Sequence, residues 1–210
     1  MLFRSVSISA RRPAEGVGPQ TGMQFLDPFP RRDTAVGSGV IVHPDGLILT
    51  SRQVTGEADR VQAGFYRADR GVLSARRIAS DARTDLALYR ITGSGRFPYA
   101  SLGDSTGVRT GDIVVAVGSP FGLSETVTHG IVSATRRTVT VEGRPFAEVI
   151  QTDAAINQGN AGGPLVDIQA MVIGINVAIY STDTTFSGIG FAIPSNQALS
   201  FLRNAFAFRG

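Results

Sequence analysis

Short apolar stretches, separated almost everywhere by turn-forming residues, set the strongest limit on what this chain can fold into. Val6, Ile8 and Ala10 alternate with Ser7 and Ser9, the period-two pattern of a strand with one buried face. Val40-Ile41-Val42 and Leu47-Ile48-Leu49 flank His43-Pro44-Asp45-Gly46, which predicts a β-hairpin turning at Asp-Gly. Further strands are predicted near residues 60–66, 72–79, 85–91, 113–117, 126–133, 137–141, 147–151, 164–167, 171–180 and 188–193. Gly71, Gly93-Ser94-Gly95, Gly118-Ser119-Pro120, Gly143 and Asn157-Gln158-Gly159-Asn160 punctuate them. Many short strands at such spacing predict an all-β sandwich or barrel. Residues 11–36 hold Pro, Gly, Arg and Phe without a period and read as a long loop. One helix is predicted: Pro194-Ser195-Asn196 offers a cap, with Ala198, Leu199, Phe201, Leu202 and Ala205 at helical spacing behind it. A single helical turn fits 52–58, and the stretch 93–112, rich in Gly, Ser, Thr and Pro, is the candidate boundary between two halves.

Composition narrows the chemistry. Hydrophobic residues make up 42% of the 210 residues, enough for a core. With no Cys there is no disulfide framework, thiolate metal site or cysteine nucleophile. Any histidine-dependent mechanism must use His43 or His129, the only two present. All 20 basic residues are Arg, yet the net charge is only +3 and the arginines are scattered, so no nucleic-acid partner is expected. The longest apolar run, near Ile113 to Val117, is too short to span a bilayer. Met-Leu-Phe-Arg-Ser at the start lacks a signal-peptide pattern, so the expectation is a cytoplasmic protein or a piece of a longer one.

The most informative segment is Gln151-Thr152-Asp153-Ala154-Ala155-Ile156-Asn157-Gln158-Gly159-Asn160-Ala161-Gly162-Gly163-Pro164-Leu165. Its clustered glycines permit a tight turn whose N–H groups converge into an anion-binding nest. In an acyl-transfer enzyme such a nest is an oxyanion hole, with the nucleophile on the same turn.

Gly159-Asn160-Ala161-Gly162-Gly163-Pro164-Leu165 resembles the Gly-Asn-Ser-Gly-Gly-Pro-Leu signature of trypsin-like serine proteases of the HtrA/Deg type. The resemblance extends over most of the chain. It takes in Gly37–Val42, Asp45–Thr50, Arg83–Leu88, Leu102–Ser105, Val117–Gly122, Gly130–Ser133, Val172–Asn176 and Gly188–Ser195, all in the family's order. It implies two six-stranded antiparallel β-barrels, residues 1–98 and 99–194, with the active site in the cleft between them and a C-terminal helix over 195–210. It also implies a Ser-His-Asp triad, an oxyanion hole at Gly159, Asn160 and Ala161, and a specificity pocket lined by Asn176, Val177, Ala178 and Ile179. Val177, Ala178 and Ile179 are small or aliphatic, and fit core strand residues as readily as a pocket for a modest apolar side chain.

Two triad members are missing. Asp85 fills the aspartate position, Gln53 stands at the histidine position and Ala161 at the serine position. An amide is no base near neutral pH, and a methyl is no nucleophile. An oxyanion hole alone leaves only roughly 10³–10⁴ over the water rate. The chain is therefore expected to be proteolytically inactive. His43, in its turn, and His129, on a strand, are expected to be surface residues, and neither replaces a nucleophile. Three readings follow. The first is a degenerate protease that binds polypeptide or regulates an active paralogue. The second is a quality-control serine endopeptidase seen as an inactivated variant, and the third a scaffold repurposed to bind a metal or another ligand. Two losses on one catalytic unit favour the first, because a second loss adds little once the first is made. No cofactor and no resident metal are expected. The resemblance implies an extracytoplasmic site. It also implies a homotrimer built through an N-terminal segment, and one or two PDZ domains, but no PDZ domain is expected within this chain.

Overall fold

A computed structural model describes residues 5–11, 34–65, 71–118, 126–141, 143–157, 159–177 and 188–207. Twelve strands, two α-helices and one 3-10 turn (Ser105–Gly107) lie among them. The first six strands are β1 (Ser5–Arg11), β2 (Thr34–His43), β3 (Leu47–Ser51), β4 (Arg60–Gly64), β5 (Val72–Asp81) and β6 (Leu86–Ile91). They close into a barrel in the order β1-β2-β3-β6-β5-β4, with Ser7 to Ser9 of β1 sealing it against Gln62 to Gly64 of β4. The others are β7 (Ile113–Gly118), β8 (Thr126–Val141), β9 (Arg144–Thr152), β10 (Pro164–Asp167), β11 (Val172–Val177) and β12 (Gly190–Pro194). They close in the order β10-β11-β12-β9-β8-β7. Every strand pairing within the two barrels is antiparallel. The two-barrel architecture expected from the resemblance is the one observed.

Alternation explains the inside of each barrel. Val6, Ile8 and Ala10 point inward and are buried, joined by Ile48, Ala63, Ala87 and Tyr89. The second barrel buries Val114, Ala116, Val132, Ile150, Leu165 and Ile173. A third cluster lies between the barrels: Leu49, Leu86 and Leu88 of the first meet Phe146, Val149, Ile175 and Ile193 of the second. Helix α2 (Ser195–Ala207) closes this cluster with Ala198 and Phe201. The segment joining the barrels is stitched to both. Phe97 and Ala100 donate to the Pro44 and Ile41 carbonyls, and Gly103 donates to Val172.

Two local expectations change. The strands predicted over 126–133 and 137–141 are one strand, β8, because register shifts absorb the irregular stretch and Arg136 takes φ 55° instead of ending the ladder. Ser195 does not cap α2. Its hydroxyl donates to the Gly103 carbonyl at 2.7 Å, and Ser105 Oγ accepts the Asn196 N–H instead. The helix start is therefore satisfied from the inter-barrel segment rather than from its own flank.

Candidate functional site

Helix α1 (Arg52–Thr55) is a single turn that follows β3 directly. Ser51 begins it as N-cap: its Oγ accepts the Gln53 N–H at 3.1 Å while its hydroxyl donates to Asp85 Oδ2. The Gln53 N–H also reaches Asp85 Oδ1 at 3.1 Å, and the Arg52 N–H donates to the Asp85 carbonyl at 2.8 Å. Asp85, with φ 56°, and Gln53 are therefore held together through backbone and Ser51. On the outer side, Arg77 bridges Glu57 and Asp59 while Arg52 pairs with Glu57, pinning the chain that leaves α1. Arg77 and Arg52 together hold the Glu57 carboxyl below its ordinary range.

Asp85 is 2% exposed, and burial pushes its carboxyl above the usual carboxylate range, against the pull of Ser51, Arg144 and the Gln53 N–H. A raised native pKa means that the folded chain holds this proton more tightly than the unfolded chain does. The contribution of Asp85 to stability is then fully present below the ordinary aspartate pKa and is lost as pH rises through the native value. Asp85→Asn is expected to abolish that portion of the pH dependence and to be at least as stable as the parent at neutral pH. Urea denaturation across pH 4 to 8 checks it; a variant less stable at every pH would refute it.

The turn carrying Ala161 arrives from the second barrel. The Asn160 side chain accepts the Asn157 N–H at 2.9 Å and donates to the Ala155 carbonyl at 2.9 Å, tying the turn to itself. The Gly163 and Gly162 N–H groups donate to the Asn160 and Asn176 carbonyls, and the Asn176 amide side chain donates to Pro164. Among the described residues the N–H groups of Gly159 and Ala161 have no acceptor. The turn presses on the first barrel. Ser38 N donates to the Ala161 carbonyl at 2.8 Å, Ser38 Oγ to Gly159, and Thr50 Oγ1 to Ser38. Ala161 is buried in the same cluster as Val54, the neighbour of Gln53, and a side chain on Gly37 would collide with Val54 and touch the Ala161 carbonyl. Asp85 and Gln53 thus meet at the start of α1, and Ala161 packs in the cluster that holds Val54, next to Gln53 in sequence. Asn176 and Val177 are fully buried on β11; Ala178 and Ile179 lie outside the described residues.

Sequence reading missed three contributors. Ser51 bridges Gln53 to Asp85, Arg144 Nη1 stands 3.8 Å from Asp85 Oδ1, and Ser38 welds the turn to β2. Only the serine after the buried β3 run, a residue type fitted to cap a helix, offered a local signal. His43 accepts the Asp45 N–H in an exposed turn, and His129 is exposed on β8, in the other barrel. Among the described residues no group of three His, Asp or Glu could hold a metal. No described helix is long and apolar enough to cross a membrane.

Residues 37–175 match the trypsin-like peptidase domain family. The magnetosome formation protease MamE of Magnetospirillum gryphiswaldense is 46% identical over 187 residues, 88% of this chain and 24% of that protein. A probable periplasmic serine endoprotease, DegP-like, of Rickettsia conorii is 44% identical over 178 residues, 84% of this chain and 34% of that protein. The chain therefore spans about a quarter to a third of these relatives. Among solved structures, the HtrA-type protease AlgW carrying S227A, bound to a decapeptide, superposes with TM-score 0.80 at 37% identity, over 97% of this chain and 64% of that one. AlgW with a tripeptide gives 0.78 at 37% identity, over 95% of this chain and 59% of the other. Two closed barrels, a glycine turn between them and these likenesses agree: the chain belongs to the trypsin-like serine protease family as a domain of the HtrA/Deg type.

Proposed function

We propose that this domain is a proteolytically silent member of its family that works by binding extended polypeptide, either as cargo or to regulate an active relative. The observation that carries the reading is the pairing at the site: a buried Ala161 methyl on the glycine turn, and Gln53 beside Asp85. No proton acceptor and no nucleophile stand where peptide hydrolysis needs both. The N–H groups of Gly159 and Ala161, without an acceptor among the described residues, would serve as an oxyanion hole suited to a peptide carbonyl without chemistry. Main-chain pairing along a strand would supply affinity. The relatives named as periplasmic support a site of action outside the cytoplasm, and a homotrimer would follow the family.

Incubation with unfolded casein is expected to give no cleavage. Calorimetric titration with blocked peptides of small apolar residues is expected to give saturable heat. Cleavage that survives repurification, or flat heats across a diverse peptide set, would overturn the proposal.

A further inference from the structure

Asp85 belongs to the first barrel, but the cation at its open side comes from the second. Arg144 opens β9 immediately after Gly143, and its Nη1 lies 3.8 Å from Asp85 Oδ1. That separation is Coulombic contact, not a hydrogen bond. The carboxylate takes its hydrogen bonds elsewhere, from Ser51 and from the Gln53 N–H. Among the described residues Arg144 has no other ion pair, so the donors of its guanidinium fork are uncommitted. Arg52, the other cation near Asp85, differs in being engaged by Glu57.

Exposure separates the two partners. The Arg144 side chain is 54% exposed and that of Asp85 is 3% exposed. A polypeptide at this site would therefore meet the guanidinium first, with Asp85, its one ion-pair partner among the described residues, buried behind it. Burial also favours the neutral form of Asp85, which weakens that compensation further. The root of Arg144 is fixed, because Phe146 and Val149 of the same strand pack with Leu86 and Leu88 in the inter-barrel cluster. A planar, positioned guanidinium with free donors matches a carboxylate in two parallel hydrogen bonds.

We propose that Arg144 is a specificity residue of this cleft, selecting polypeptide segments that carry an aspartate or glutamate side chain. The proposal rests on the peptide-binding reading above and names the chemistry that reading would select.

The test uses the whole 210-residue chain and blocked hexapeptides of Ala, Val and Ser. One Glu is walked through every position, and each peptide has a Gln twin, so only one charge differs within a pair. At one or two neighbouring positions the Glu peptide is expected to bind roughly fivefold tighter than its twin. That advantage shrinks as salt is raised from about 0.05 M to about 0.5 M, where the screening length falls below about 5 Å. Arg144→Gln abolishes it and Arg144→Lys keeps part of it, with thermal melting confirming that both variants are folded. Equal binding of Glu and Gln twins at every position of the parent chain overturns the proposal, with no variant needed. So does an undiminished Glu advantage in folded Arg144→Gln. If no peptide of either kind binds, the peptide-binding reading falls with it, which separates the two failures.

Discussion

Ala161→Ser alone is expected to give no measurable protease activity. The new hydroxyl would stand on the glycine turn beside the first barrel, but nothing is available to take its proton, because the residue at the base position is the amide of Gln53. Triad members act as a unit, and losing the base alone costs on the order of 10⁶ in kcat, about as much as losing all three. Gln53→His alone stays silent for the converse reason: the base has no nucleophile to activate. The two changes together are expected to exceed either one, yet to remain roughly 10²-fold below an active relative assayed alongside, the penalty of misplacement by about 1 Å. One cause of misplacement is visible, since an imidazole at position 53 would share the Asp85 carboxylate with Ser51, the Gln53 N–H and Arg144. A fluorophosphonate probe reads nucleophile activation directly, and casein hydrolysis reads turnover. Activity of the pair at the relative's level would overturn long-standing loss and favour an inactivated endopeptidase. Activity of Ala161→Ser alone would show that some group other than residue 53 serves as base.

The barrels were legible where local pattern decides structure. The alternation of β1 and the Asp-Gly hairpin between β2 and β3 needed no tertiary information, because one face of each strand had to be buried. The start of α2 was not legible in the same way. Ser195 has the chemistry of a cap, but Ser105, 91 residues before Asn196, supplies the acceptor, and no local rule can weigh a partner so distant. The site divides along the same line. The identities at 53, 85 and 161 could be read position by position against the family's motif. Arg144 could not, because it sits on a strand of the opposite barrel and matters only through a contact across the interface. Val177 is the instructive case of the specificity segment. Its side chain is buried with Ile175 and Ile193, so the core reading weighed for it in the sequence describes its packing, and only its backbone is left to meet a bound chain.

Gly162→Ala is expected to destabilise the fold by roughly 3 kcal/mol or more. Gly162 has φ 77°, a conformation that costs a residue with a Cβ about 1–2 kcal/mol. A Cβ there would also be driven into Thr50 Oγ1 and the Ser38 carbonyl, and would lie 2.9 Å from the Ser51 nitrogen, where overpacking adds roughly 1–3 kcal/mol. Gly143→Ala is the control, because Gly143 has φ 75°, close to that of Gly162, and open space within 4 Å, so only the backbone term applies. Urea midpoints of the two variants should therefore differ clearly, and equal losses would refute the steric account. The difference bears on function. The groups that hold Gly162 are the β2 and β3 segments beside α1, so the glycine turn is also the seam by which the second barrel is fastened to the first. Ala161 fits that seam with its methyl buried, whereas Gly162 has no room for a side chain. Packing thus demands glycine at 162 whatever residue stands at 161, so the glycine turn bears on the fold, while the identities of residues 53 and 161 bear on the chemistry.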